Sequence, residues 1–330
     1  MNRLRVLEYV RYFDGVWNLP ASTLDTIRPR FPDVEIVSAA DEVDVERRLP
    51  EADVVLGWAV RRDNFERASK LRWVHVTAAG VTPLMFPAMI ESDVMISNSR
   101  GLQANAMAEH ALGVMLMYVR KLHLARDVQA KREWAQTRIW TEPPPIGELG
   151  GSTLGLVGLG SIGVALATRA KALGMRVLAV RKHPASPPAP ADAQWPAERL
   201  DDLLAESDVV VLVTALTGET RGLMNAARLA RMKAGALLVN LGRGALVDEP
   251  ALIAALERGT PAAAALDVTQ KEPLPADSPL WAMPQVILTP HISGMAPRYW
   301  ERAVAMFADH LDAFLAGRPL PNLVDKRAGY

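Results

Sequence analysis

The chain has 330 residues, half of them hydrophobic, with 37 Lys plus Arg against 37 Asp plus Glu and no cysteine. The length suits two domains of roughly 100–200 residues each, and the charge balance leaves no global field for nucleic acid or an anionic membrane. The missing thiols exclude disulfide staples, thiolate catalysis and cysteine-ligated metal or iron–sulfur centres. No run approaches the roughly 18 apolar residues that span a bilayer, and Met1-Asn2-Arg3-Leu4-Arg5 leads straight into a strand pattern. A cytoplasmic chain acting on a small polar molecule, with no bound metal, is therefore expected.

In chain order, Val6 to Val10, Val34 to Val37 and Val54 to Trp58 read as strands, with a helix around Leu24. Leu71 to Val76 is a further strand ending in Thr77-Ala78-Ala79-Gly80, where small residues let backbone amides approach an anion. Asn105 to Arg120 is apolar on more than one face and predicts a long buried helix joining two domains. Trp134 to Leu149 keeps neither period, carries Pro143-Pro144-Pro145, and reads as a rigid connector. Thr153 to Val157, a glycine turn, a helix over Val164 to Leu173 and Val177 to Val180 then make a βαβ unit. Strands at Val209 to Val213, Ala236 to Asn240, Ala262 to Leu266 and Val286 to Leu288 extend it to a doubly wound parallel sheet. A Pro-rich loop covers Pro184 to Pro190. A last helix over Tyr299 to Leu315 stops at Gly317 and is expected to pack on the first domain, making that domain discontinuous.

The turn Gly158-Leu159-Gly160-Ser161-Ile162-Gly163 sits between a readable strand and helix, the context that gives such a motif meaning. Gly158 permits the tight turn, Gly160 lets backbone reach a pyrophosphate, and Gly163 allows close helix packing, while the amides of Ser161 and Ile162 face the phosphate. A methyltransferase is the main competing use. At the end of the second strand, where an acid would bind the ribose hydroxyls of NAD, the chain has Arg181-Lys182-His183. Two cations there favour the 2′-phosphate of NADP(H), with NAD(H) still open; a solvated basic turn is the bland alternative.

Three separated residues then each follow an apolar run: Arg243 in Asn240-Leu241-Gly242-Arg243-Gly244, Glu272 after Leu266, and His291 after Val286 to Pro290. An arginine fork grips a carboxylate and steadies an adjacent oxyanion, and a histidine moves a proton. A carboxylate beside that histidine favours imidazolium. Together they suit hydride transfer to the carbonyl of a small anion; a structural salt bridge for Arg243, an exposed loop glutamate and a satisfied loop histidine are the bland alternatives. Asp267 and Ser293 are placed to hold the nicotinamide carboxamide. Trp58, Met85, Trp281, Met295 and Trp300 are candidates for the pocket wall, though such residues are more often core.

These motifs, with Ala108-Glu109-His110 opening the long helix and Thr289-Pro290-His291-Ile292-Ser293-Gly294, resemble the D-isomer-specific 2-hydroxyacid dehydrogenase family over nearly the whole chain, particularly its glyoxylate and hydroxypyruvate reductase branch. The resemblance implies an α/β protein of two Rossmann-like domains. A smaller flavodoxin-like substrate domain would span 1–98 and 296–330, and a dinucleotide-binding domain 99–295. It implies that Arg243 binds a 2-oxo acid or 2-hydroxy acid, His291 is the acid/base, Glu272 is its partner, and Ala79 and Gly80 offer amides to the substrate carboxylate. It implies a homodimer built through the nucleotide domains, including Asn105 to Arg120 and the connector near Trp134 to Trp140.

The chain departs from the family pattern at Arg181, which replaces the usual acid, and in the loop ending at Gly80, which lacks the acid often found after it. Glu272 argues against the formate dehydrogenase branch, which carries an amide there, and no regulatory domain is expected after Asn322. A bulkier 2-hydroxy acid, phosphite, or a non-catalytic nucleotide-sensing role stay open.

Overall fold

In the computed structural model, which describes residues 3–11, 17–182 and 190–329, the chain forms two compact units, Met1–Leu102 with Ala296–Tyr330, and Gln103–Met295. His183 and nearly all of the Pro-rich stretch lie outside the described residues.

The first unit holds β1 (Leu4–Tyr9), α1 (Ala21–Asp25), β2 (Val34–Ser38), α2 (Glu42–Arg48), β3 (Val54–Gly57), β4 (Trp73–Val76), α3 (Pro87–Glu91) and β5 (Met95–Asn98). Its five strands are all parallel in the order β2-β1-β3-β4-β5, the flavodoxin-like arrangement. Side chains alternate between two cores: Val6, Val54 and Leu56 enter one with Trp73, while Leu7, Val55, Val74 and Val76 enter the other. Because both faces are covered, the strands read as continuous apolar runs. The C-terminal helix, Tyr299–Leu315, lies in the first unit and shares a core with Trp73 through Val304, Phe307, Ala308 and Leu311.

The second unit holds α4 (Ala104–Val119), α5 (Leu122–Ala130), α6 (Gln136–Thr141), β6 (Thr153–Val157), α7 (Ser161–Ala172), β7 (Arg176–Val180), β8 (Ala193–Trp195), α8 (Leu200–Glu206), β9 (Val209–Leu212), α9 (Ala226–Leu229), β10 (Leu237–Asn240), α10 (Glu249–Glu257), β11 (Ala263–Leu266) and β12 (Val286–Leu288). Seven parallel strands run β12-β11-β10-β9-β6-β7-β8, the Rossmann order with one strand added. Its sheet too is buried on both faces: Leu154, Val177, Val209 and Leu237 point into one core, and Val157, Leu178, Val210 and Leu238 into the other. The α4 residues Met107, Ala111, Val114 and Met115 share a core with Leu166, Ala167 and Ala170 of α7, where the small alanines let the two helices approach. The stretch read as an aperiodic connector contains α6, closed by Lys121, whose Nζ donates to the carbonyls of Ile139, at 3.0 Å, and Glu142.

Candidate active site

The turn after β6 is built as a nucleotide cradle. Gly158 has φ +104°, and a Cβ there would lie 2.9 Å from the Val213 carbonyl; at Gly163 it would meet the Gly158 carbonyl at 2.5 Å. Gly160, by contrast, faces open space, and as the N-cap of the twelve-residue α7 it supplies no side-chain cap. The first amides of α7, including those of Ser161 and Ile162, therefore stay available to an anion. A dinucleotide pyrophosphate fits those residues.

Arg181 follows β7, its backbone N–H donating to the Trp195 carbonyl at 3.1 Å, and the residue is half-buried. Lys182 is ion-paired with Glu219 at 3.1 Å.

At the ends of β10, β11 and β12 stand Arg243, Glu272 and His291, in the loops where parallel α/β sheets carry chemistry. His291 donates from Nδ1 to Glu272 Oε2 at 2.6 Å, and Glu272 Oε1 accepts from the Thr269 N–H at 3.1 Å. The hydrogen bond to Glu272 raises the His291 pKa, against a smaller opposing effect of burial, with further help from the charges of Glu272 and Asp267. Burial alone pushes the Glu272 carboxyl up, but the His291 hydrogen bond and charge, the Thr269 amide and Arg243 together carry it below its ordinary value. Both shifts favour the imidazolium–carboxylate form of the pair, and Nε2 has no hydrogen-bond partner among the described residues. Arg243 lies within electrostatic reach of both, and its Nη1 donates to the Gly242 carbonyl at 2.7 Å. Asn240 fixes that turn by donating to the Arg243 carbonyl and accepting from the Gly242 N–H.

Asp267 faces inward. Its buried carboxylate accepts from Thr289 Oγ1 at 2.6 Å, Ile292 N at 2.9 Å and Ser293 N at 3.0 Å, while its backbone carbonyl accepts from the His291 N–H. Desolvation would raise this carboxyl, and the bonds from Ser293, Thr289 and Ile292 outweigh it. Asp267 and Ser293, expected to hold a carboxamide, also fix the His291 turn, in which His291 itself adopts φ +55°. His110, not singled out for the site, reaches Thr289 Oγ1 from α4 at 3.1 Å, across a separation of 179 residues.

Of the pocket-wall candidates, Trp58 and Met85 pack against the core and Trp300 meets Trp17 edge-on, while Trp281 and Met295 are exposed. Ala79 and Gly80 belong to the first unit, in the loop after β4. Among the described residues no helix is long and apolar enough to cross a membrane.

A Rossmann sheet with an open glycine turn and a histidine–carboxylate pair beside an arginine defines a nicotinamide-dependent oxidoreductase. The family model for D-isomer specific 2-hydroxyacid dehydrogenase, NAD binding domain, matches residues 112–293. A glyoxylate reductase of Aeropyrum pernix is 37% identical over 268 residues, covering 80% of this chain and 79% of that protein. The crystal structure of a family member from Aeromonas salmonicida superposes with a TM-score of 0.84 at 32% identity, over 98% of this chain and 100% of that one. The NADPH-dependent glyoxylate/hydroxypyruvate reductase of Sinorhizobium meliloti, solved with NADP and sulfate, gives 0.83 at 26%, over 99% of this chain and 100% of that one. The chain belongs to the D-isomer specific 2-hydroxyacid dehydrogenase family.

Proposed function

We propose that this enzyme reduces a small 2-oxo acid of the glyoxylate or hydroxypyruvate kind to the D-2-hydroxy acid, with NADPH preferred over NADH. The observation that carries the reading is the 2.6 Å His291–Glu272 hydrogen bond, which commits Nδ1 and leaves Nε2 as the ring atom that exchanges a proton with a substrate oxygen. A nicotinamide cofactor held at the Gly158–Gly163 turn would supply the hydride for C2 of the substrate. His291 Nε2 gives its proton to the carbonyl oxygen as that oxygen gains charge, and Glu272 holds the imidazole in position and favours its charged form. Arg243 turns its fork to the substrate carboxylate and carbonyl oxygen, orienting one and stabilising charge on the other. The amides of Ala79 and Gly80 take the carboxylate. Asp267 and Ser293 hold the His291 turn and are the groups assigned to the nicotinamide carboxamide.

Arg181 and Lys182 support the NADPH preference, because two cations gain from a 2′-phosphate and nothing from a free ribose. The NADPH-dependent name of the Sinorhizobium reductase agrees with this. A second copy of the chain is assigned to the face carrying Leu122, Trp134 and Trp140, where the tryptophans are 92% and 70% exposed. The test is a steady-state panel of glyoxylate, hydroxypyruvate, phenylpyruvate and phosphite with each cofactor, in the parent and in His291→Ala. Rapid NADPH-linked glyoxylate turnover, lost in the variant, is expected; turnover of phosphite alone, or a fully active variant, would overturn the reading.

A further inference from the structure

The loop after β4 has its carbonyl groups accounted for one by one. Val76 O accepts from Ser99 Oγ at 3.1 Å, Thr77 O from the Tyr299 hydroxyl, Ala78 O from Ser99 N at 3.0 Å, and Ala79 O from Asn98 Nδ2 at 2.7 Å. In a trans peptide the C=O and the N–H of one unit point in opposite directions. Each tie therefore aims the following amide away from its donor. The N–H groups of Ala78, Ala79 and Gly80 have no acceptor among the described residues. Backbone groups left unpaired in this way call for a ligand, and successive free amides suit an anion.

Two side chains do this fixing. Tyr299 is buried at the start of the C-terminal helix, its ring stacked on Trp17 at 4.6 Å and set edge-on to Trp300 at 5.0 Å. Packing needs only the ring, so the hydroxyl is explained by its bond to Thr77 O. Asn98, also buried, ends β5, and its other amide atom accepts from Arg100 N at 3.2 Å, which fixes which way the Nδ2 donor points.

We propose that Tyr299 and Asn98 are positioning residues for substrate binding: they lock the Thr77–Ala78 and Ala79–Gly80 peptides so that the amides of Ala78 and Gly80, with Ala79 between them, meet the substrate carboxylate already oriented. The proposal rests on the reading above that this loop takes the carboxylate, and it adds Ala78 to the binding set. Neither side chain touches the substrate. Their loss releases a loop that must then be ordered on each binding event, which weakens binding equally in ground and transition states and so raises KM without lowering kcat.

The experiment uses the full chain loaded with NADPH, as parent, Tyr299→Phe and Asn98→Ala. The Kd of oxalate, a dicarboxylate mimic, is titrated, and KM and kcat are measured for glyoxylate. We expect both variants to raise the oxalate Kd and glyoxylate KM by about 10-fold with kcat within about 3-fold and the NADPH KM unchanged, the pattern of lost uniform binding. If Tyr299→Phe fails to fold, Asn98→Ala decides alone, since it cuts a different tie. A parent that does not bind oxalate, variants with parental Kd and KM, or a loss that falls equally on NADPH would each overturn the proposal. His291→Ala separates the two readings: if it abolishes turnover while Tyr299→Phe and Asn98→Ala keep parental constants, only the positioning role fails.

Discussion

Gly244→Ala is the substitution whose cost can be worked out most directly. A Cβ at Gly244 would lie 1.8 Å from the Thr269 carbonyl oxygen, 2.0 Å from its carbon and 2.6 Å from Gln270 N, whereas real contacts stay above 3.0 Å. All three atoms are backbone, so no side chain can swing aside; the loops after β10 and β11 must part by about 1 Å, and a misplacement of that size costs on the order of 100-fold in catalysis. The displaced parts are the active ones. Arg243 precedes the glycine, and Thr269 N donates to Glu272 Oε1 at 3.1 Å, so the shift passes to the carboxylate that holds His291. We expect kcat/KM for reduction to fall about 100-fold and stability to fall by about 1–3 kcal/mol, the range for forced overpacking. The cofactor Kd, read by fluorescence titration, should change little. Gly160→Ala is the contrast: nothing lies within 4 Å of its Cβ, so the melting temperature should hold while cofactor binding weakens because the pyrophosphate approach is blocked. A Gly244→Ala enzyme within about 3-fold of the parent would refute the claim that this loop pair sets the catalytic geometry.

Arg181→Ala should weaken NADPH by about 10-fold, equivalent to about 1.4 kcal/mol, with far less effect on NADH; equal losses would remove the 2′-phosphate assignment. Acid should destabilise the first unit through His75 and His310, which share Ser97, with His75 also bonded to Ser99 and enclosed by the rings of Trp73 and Phe307. Burial, then the charge of His310, holds the His75 pKa well below the ordinary value, and burial lowers His310 against the opposing charge of Asp309. With folded values below unfolded ones, this stability is present above the usual histidine value of about 6.5 and is lost as pH falls through it. The melting temperature should drop between about pH 6.5 and 5, less steeply in His75→Gln; a flat profile in the parent would contradict this. On the proposed pairing the parent should sediment as a dimer and Trp134→Glu as a monomer; a monomeric parent would remove the pairing, and a dimeric variant would place the interface elsewhere.

The sheets were legible because they are buried on both faces: Val209 to Leu212 and Leu237 to Val239 are apolar runs that no exposed element would carry. β5 was not, since Ser97 and Asn98 are buried polar residues whose cost is met by Trp73, His75 and the Ala79 carbonyl, partners no local pattern reveals. β8 is a three-residue strand at the sheet edge, too short to show a period. Arg243, Glu272 and His291 could be picked out because each follows its own strand. The contacts that fix the site loops could not: His110 meets Thr289 beside His291, and Tyr299 meets Thr77 in the loop after β4, each across most of the chain. The inward turn of Asp267 likewise depends on Ile292 and Ser293 amides that only the folded loop brings round.

The central claim is that Glu272 keeps His291 protonated as the acid of reduction, and the pH profile of kcat/KM for glyoxylate with NADPH tests it in the parent and in Glu272→Gln. Because the His291 pKa is raised chiefly by Glu272, activity should be full on the acid side and fall as pH rises through that raised value, and removing the carboxylate charge should move the fall to lower pH. The same break in both enzymes, or a rate that climbs with pH through the histidine range, would contradict the account.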